Sequence, residues 1–188
     1  MLIDGGYTRV AAKKAALTYN GDLIERLAHA CIAEDENLLR ILYYDCAPYK
    51  GKVKLPVSGT EHEFVGSDQW LRDLAAKDFF AVRRGVLKFR GFKPKRIPIA
   101  AQALKDDDFK PDFEQKGVDM RIGLDMASFS ELKTVDRIIL ITGDTDCVPA
   151  MKHARKAGLQ IILVSLNGAH LAPELLWHTD VKRQVAWP

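Results

Sequence analysis

Two short runs constrain this chain more than anything else in it: Arg137-Ile138-Ile139-Leu140-Ile141 and Gln160-Ile161-Ile162-Leu163-Val164. Side chains alternate between the two faces of a strand, so a run apolar at successive positions must be covered on both faces. Between the runs, residues 148–157 read as a helix stopped by Gly158, a residue that ends helices without Cβ strain. Apolar strands alternating with helices indicate a parallel sheet. The chain is therefore expected to be α/β, with a mostly parallel sheet between helices. Its 188 residues, 47% of them hydrophobic, suffice for one such core.

The remaining segments are read the same way. Residues 1–3 end a short buried strand, stopped at Asp4-Gly5-Gly6, where two glycines permit a sharp turn. Residues 8–18 read as a helix broken at Asn20-Gly21, and Asp22 is placed to cap a second helix reaching about Cys31. Residues 40–44 read as a strand, and Ser67 caps a helix carrying Trp70, Leu71 and Leu74. Residues 79–82 and 86–89 read as two short β-like runs around Gly85. Asp119 opens a helix with Ile122, Leu124, Met126 and Phe129 at apolar positions, and residues 181–185 form an edge strand compatible with a homodimer. The expectation is one domain over residues 1–188, with loop-rich insertions at about 47–66 and 91–118.

Cys31, Cys46 and Cys147 are widely spaced and odd in number, which argues against a disulfide framework or a zinc site. A cytoplasmic chain with reduced thiols is expected. No apolar run approaches the roughly 18 residues of a membrane span. The N-terminus lacks the basic start and apolar stretch of a signal peptide.

Ligands of open parallel sheets bind beyond the carboxyl ends of the strands. Asp4 follows the first strand, and Asp144 and Asp146 follow residues 137–141 in Thr142-Gly143-Asp144-Thr145-Asp146. Asp119 opens a helix, where the partial positive charge of the N-terminus favours an anion. Like charges placed together raise each other's pKa, and a hard divalent cation removes that cost. An all-oxygen set suits Mg²⁺ or Mn²⁺, which can acidify bound water and brace a phosphodiester. Taken singly, each aspartate reads equally as a helix cap or turn residue; their joint placement points to a site. Asp125 lies about 240° around the helix from Asp119, so it is either a supporting residue or half of a helix-face salt bridge. Asp136 precedes its strand and falls at the wrong end of the sheet. Thr142 and Thr145 either orient a bound water or cap the following helix.

Leu2-Ile3-Asp4-Gly5-Gly6, Lys116-Gly117-Val118-Asp119 with Asp125, and Thr142-Gly143-Asp144-Thr145-Asp146 together resemble the signature blocks of the NYN domain, LabA-like branch, in the PIN-like nuclease superfamily. The resemblance implies a PIN-like three-layer α/β/α fold with strand order 3-2-1-4-5. It also implies Mg²⁺-dependent RNA hydrolysis, with Asp4, Asp119, Asp144 and Asp146 matching the family's acidic positions. Two positions depart from the pattern: Tyr7 stands where many members carry Asn, and Cys147 where many carry Phe.

Net charge is only +3, but residues 79–105 contain no acid and eight basic residues: Arg83, Arg84, Lys88, Arg90, Lys93, Lys95, Arg96 and Lys105. Phe80, Phe89 and Phe92 are interleaved. The stretch reads as a phosphate-tracking surface for RNA with stacking partners, or as a solvated edge protected by charge, some of whose basic residues pair with Asp106, Asp107, Asp108, Asp112 and Glu114 of the next segment. Lys116 reads either as a phosphate contact or as a solvated loop lysine. A binding module that does not cleave, and a nucleotide-sugar transferase using Asp144-Thr145-Asp146, are the competing readings.

Overall fold

The computed structural model describes residues 1–99 and 103–188. Strand β1 (Leu2–Asp4) runs directly into helix α1 (Gly5–Lys14), followed by α2 (Gly21–Ala30) and β2 (Ile41–Cys46). A hairpin of β3 (Lys50–Lys54) and β4 (Glu61–Val65) leads to α3 (Gln69–Ala75) and the long β5 (Phe80–Pro94). Then come β6 (Phe109–Lys116), α4 (Val118–Leu132), β7 (Arg137–Ile141) and α5 (Val148–Lys156). The order ends with β8 (Gln160–Leu166), α6 (Pro173–Trp177) and β9 (Val181–Val185).

Among the described residues, seven strands form one sheet in the order β6-β5-β2-β1-β7-β8-β9. It is larger than the five-strand arrangement the resemblance implied. Every neighbouring pair is parallel except β5 with β6. Leu2, Leu42, Leu140 and Leu163 pack in one cluster with Ile122 and Met126 of α4 and Met151 of α5. Ile3, Tyr43, Ile141 and Val164 pack in the other, with Ile24 and Leu27 of α2 and Leu71 and Leu74 of α3. Successive strand residues thus enter opposite cores, which is why these runs are apolar at every position.

The two insertions carry strands between their loops. Residues 47–66 contain the β3–β4 hairpin, and 91–118 contain the end of β5 and all of β6; residues 100–102 lie outside the described residues. The two runs around Gly85 are one strand, and Gly85 is where it changes partner. Residues up to Gly85 pair with β2, and Val86 onward pairs with β6. A Cβ at Gly85 would lie 2.8 Å from the Lys116 carbonyl oxygen. The apolar payload of this arm is scattered through the sequence. Tyr49, Phe64, Phe89 and Phe113 meet there, with Phe64 and Phe113 ring centroids 5.5 Å apart and Tyr49 and Phe89 5.7 Å apart. Two smaller expectations also change. Asn20, not Asp22, caps α2 by accepting the Leu23 amide at 2.9 Å. Leu124 is 61% exposed, because the buried stripe of α4 is Val118, Ile122, Met126 and Ser130.

The edge strand β9 is anchored by a carboxylate. Glu36 accepts from Arg183 at 2.7 and 2.8 Å, from the Ala33 amide at 2.8 Å and from Arg137 at 3.3 Å. The Arg183 hydrogen bonds lead the causes that hold the Glu36 carboxyl down at about 2, against an ordinary value of 4.5. A depressed carboxylate contributes stability above its unfolded pKa and loses it as pH falls through the folded one. Glu36→Gln should therefore destabilise the protein at pH 7 by about 1.5–3 kcal/mol, the range for hydrogen bonds to charged groups. In urea unfolding at successive pH values, the gap to wild type should close between 4.5 and about 2.

Candidate functional site

Three carboxylates from three separate segments line one open groove of about 790 Å³: Asp4, Asp119 and Asp144. Asp4 ends β1 and caps α1. Its Oδ1 accepts the Tyr7 amide at 3.0 Å, and its Oδ2 accepts the Thr142 hydroxyl at 3.0 Å. The same hydroxyl accepts the Asp144 amide at 3.1 Å, so Thr142 fixes Asp4 against the turn that follows β7. Asp144 caps the short 3₁₀ turn Thr145–Cys147, accepting the Asp146 amide at 2.9 Å. Capping and groove-lining therefore fall on the same aspartates. A carboxylate has about four lone-pair positions, so a cap leaves acceptor capacity. Asp119 stands in the first turn of α4, behind Gly117 in a left-handed conformation at φ 77°.

Burial and neighbouring charge act on these groups together. Burial pushes the Asp4 carboxyl up and Asp119 adds to the shift, while the Tyr7 and Thr142 hydrogen bonds oppose it. Asp119 is raised by burial and then by Asp144 and Asp146. The buried Cys147 thiol is pushed up to about 12, first by burial and then by Asp144, Asp4 and Asp119. Asp4, Asp119 and Asp144 thus influence one electrostatic neighbourhood, whereas Asp146 bears on it through Asp119, is exposed and stands outside the groove lining. Among the described residues, no three His, Cys, Asp or Glu side chains form a ready-made ligand set.

Other predicted residues are placed elsewhere. Asp125 takes the salt-bridge alternative, accepting the Tyr44 hydroxyl at 2.8 Å and pairing with Arg83 at 2.9 Å. Arg84 pairs with Asp68 at 2.7 Å, Arg90 and Lys116 with Glu114, and Lys93 with Asp112. Lys88, Lys95 and Arg96 are exposed and outside the ion pairs formed among the described residues. The aromatic part of the predicted surface is not there: Phe80 is in the core, and Phe89 packs on Tyr49 and Phe113, with Phe92 edge-on at 5.3 Å. Thr145 lines the groove at its rim.

Tyr7 has a definite place. Its amide, not its side chain, serves Asp4. Its ring lies against Gly143, where a Cβ would come within 2.5 Å of a ring carbon. That contact explains the glycine of Thr142-Gly143-Asp144. Sequence reasoning missed Arg9 and Asp45. Asp45 is fully buried at the end of β2 and ion-paired to Arg9, which lines the groove. The available signal was a carboxylate closing the strand Ile41-Leu42-Tyr43-Tyr44-Asp45-Cys46, buried along its whole length.

A mostly parallel sheet between two helical layers, with carboxylates beyond its strand ends, defines a PIN-like α/β protein. The chain belongs to the NYN domain family, whose model matches residues 68–181; its fold is typically that of metal-dependent nucleases. The matched span includes Asp119, Asp144 and Asp146 and excludes Asp4. The fold is also similar to the crystal structure of a protein of unknown function from Vibrio parahaemolyticus RIMD 2210633. The TM-score is 0.51 at 15% identity, over 100% of this chain and 91% of that one. No curated protein matches the chain in sequence. Among the described residues, no helix is long and apolar enough to cross a membrane.

Proposed function

We propose that the protein is a metal-dependent ribonuclease of the LabA-like branch, with Asp4, Asp119, Asp144 and Asp146 holding Mg²⁺ or Mn²⁺. One observation carries this reading: Asp4, Asp119 and Asp144 line a single groove, with Asp4 and Asp119 raised in part by neighbouring carboxylates. The donor set is all oxygen, and three of its four members line an open groove. That fits Mg²⁺, which keeps several waters and is usually held by one or two carboxylates together with substrate phosphates. A bound divalent cation supplies charge neutralisation at a phosphodiester and acidifies water.

The chain's own residues do the rest. The Tyr7 amide and Thr142 hydroxyl hold both Asp4 oxygens in place. Asp119, on the same groove as Asp4 and Asp144, would serve either as a further ligand or as the base that takes the proton of the attacking water. RNA as substrate draws on the family and on Lys88, Lys95 and Arg96, which offer phosphate contacts without sequence readout.

The second reading is a nucleic-acid-binding module of the same fold that does not cleave; the lack of a ready-made three-ligand set among the described residues favours it. RNA cleavage with Mg²⁺ or Mn²⁺, comparing wild type with Asp144→Asn, separates the two. The ribonuclease reading expects cleavage by wild type and loss in the variant. Cleavage retained in Asp144→Asn, or none by wild type with either metal, would sink it.

A further inference from the structure

The two glycines after Asp4 are spaces, and one polar network fills both. A Cβ at Gly5 would meet the Tyr43 hydroxyl at 2.5 Å, and one at Gly6 would meet Gln115 Oε1 at 2.9 Å and Asp4 Oδ1 at 3.3 Å. Tyr43 and Gln115 donate to the same buried carboxylate, Asp45, at 3.1 and 3.2 Å, and the Cys46 amide donates to it at 2.7 Å. Arg9 completes the set with an ion pair to Asp45. Its guanidinium also lies 5.6 Å from the ring centroid of Tyr19, whose hydroxyl is 2.5 Å from that of Tyr43. The far side of this network is open: the Arg9 side chain is 44% exposed and lines the groove with Asp4, Asp119 and Asp144.

Burying a carboxylate is costly even when it is paired, and a neutral packed pair often does as well or better for stability. What the ion pair adds here is a half-exposed guanidinium fixed by Asp45, on a residue that lines the groove with three acids. Arginine's planar fork of donors matches phosphate oxygens. We propose that Arg9 binds the substrate phosphate adjacent to the scissile one, so that the groove selects a polynucleotide strand over an isolated phosphodiester. Asp45 touches no substrate and is a positioning residue acting through Arg9. This rests on the nuclease reading above, but its test has readouts independent of cleavage.

Arg9→Met alone strands a buried charge, so the informative variant is Arg9→Met/Asp45→Asn, which neutralises both partners; thermal melting verifies its fold. Binding of a fluorescein-labelled single-stranded RNA is followed by anisotropy in Ca²⁺ across a NaCl series. The double variant should bind about tenfold more weakly, the low end for one charge-assisted contact. Its log–log salt slope should shrink by about 0.7, one phosphate's worth on a single strand. Arg9→Lys should keep the slope while losing part of the affinity. Calorimetric Mn²⁺ affinity should not change. KM for RNA cleavage should rise by more than kcat falls. A double variant with wild-type RNA affinity and salt slope overturns the Arg9 assignment and leaves the nuclease reading standing. A wild type that cleaves nothing, with RNA binding still lost in the double variant, overturns the nuclease reading and leaves Arg9 as a phosphate contact. A wild type with no RNA affinity overturns both.

Discussion

Asp4→Asn is expected to abolish metal-dependent cleavage and, at the same time, to make the metal-free protein more stable. Loss of an outer partner at a metal site already costs about 10–100-fold, so loss of a carboxylate ligand should cost at least about 10²-fold in kcat/KM. The gain in stability follows from burial. Asp4 is 8% exposed, and burial and then Asp119 hold its carboxyl above the ordinary range despite opposing hydrogen bonds. A raised carboxyl keeps its proton longer in the folded state, so stability falls as pH rises from the unfolded pKa through the folded one. Asparagine carries no such charge and can still accept the Tyr7 amide. Thermal melts in EDTA should show Asp4→Asn above wild type at pH 7, with the difference closing as pH falls towards the ordinary aspartate value. Added Mn²⁺ should raise the wild-type midpoint more than the variant's, because only a ligand that binds the folded state stabilises it. A variant less stable than wild type in EDTA at pH 7 would show that Asp4 is held chiefly as a helix cap.

Gly5→Ala should be the most damaging single methyl addition at the site. The new carbon would sit 2.7 Å from the Tyr44 carbonyl oxygen and 2.5 Å from the Tyr43 hydroxyl. The tyrosine tip could swing aside, but it would then leave Asp45, and the carbonyl belongs to the β1–β2 ladder. Overpacking of this kind costs about 1–3 kcal/mol, with a further loss from the weakened Asp45 network. Urea unfolding should show a lower midpoint with an unchanged slope. Gly59→Ala is a useful contrast, since a Cβ there meets nothing within 4 Å, although its φ of +70° carries backbone strain. If Gly5→Ala costs no more than Gly59→Ala, the close approach of α1 to β2 is not the reason for that glycine.

The sequence displayed the framework because strands buried on both faces are apolar without interruption, as in residues 137–141 and 160–164. It displayed Asp4, Asp144 and Asp146 because a carboxylate just after such a run stands out against it. It did not display the β5–β6 arm. Its strands alternate charged residues with aromatics, and those aromatics find their partners at Tyr49 and Phe64, far away in the chain. The pairing of the basic stretch was legible only in part: Asp112 and Glu114, which pair with Lys93 and Arg90, stand in the acidic segment that follows it, whereas Asp68 and Asp125, which pair with Arg84 and Arg83, come from other parts of the chain.

The two apolar runs, residues 137–141 and 160–164, thus determined by themselves a parallel sheet between two helical layers and acids at its carboxyl ends. Only the tertiary structure decided which of those acids share a groove, because that depends on β1 lying between β2 and β7. The same adjacency, with α1 packed over β2, decided that Gly5 and Gly6 are points of close approach and not a turn. It also placed Arg9 and Asp45 beside the acids, a pairing across 36 residues that no local pattern could announce.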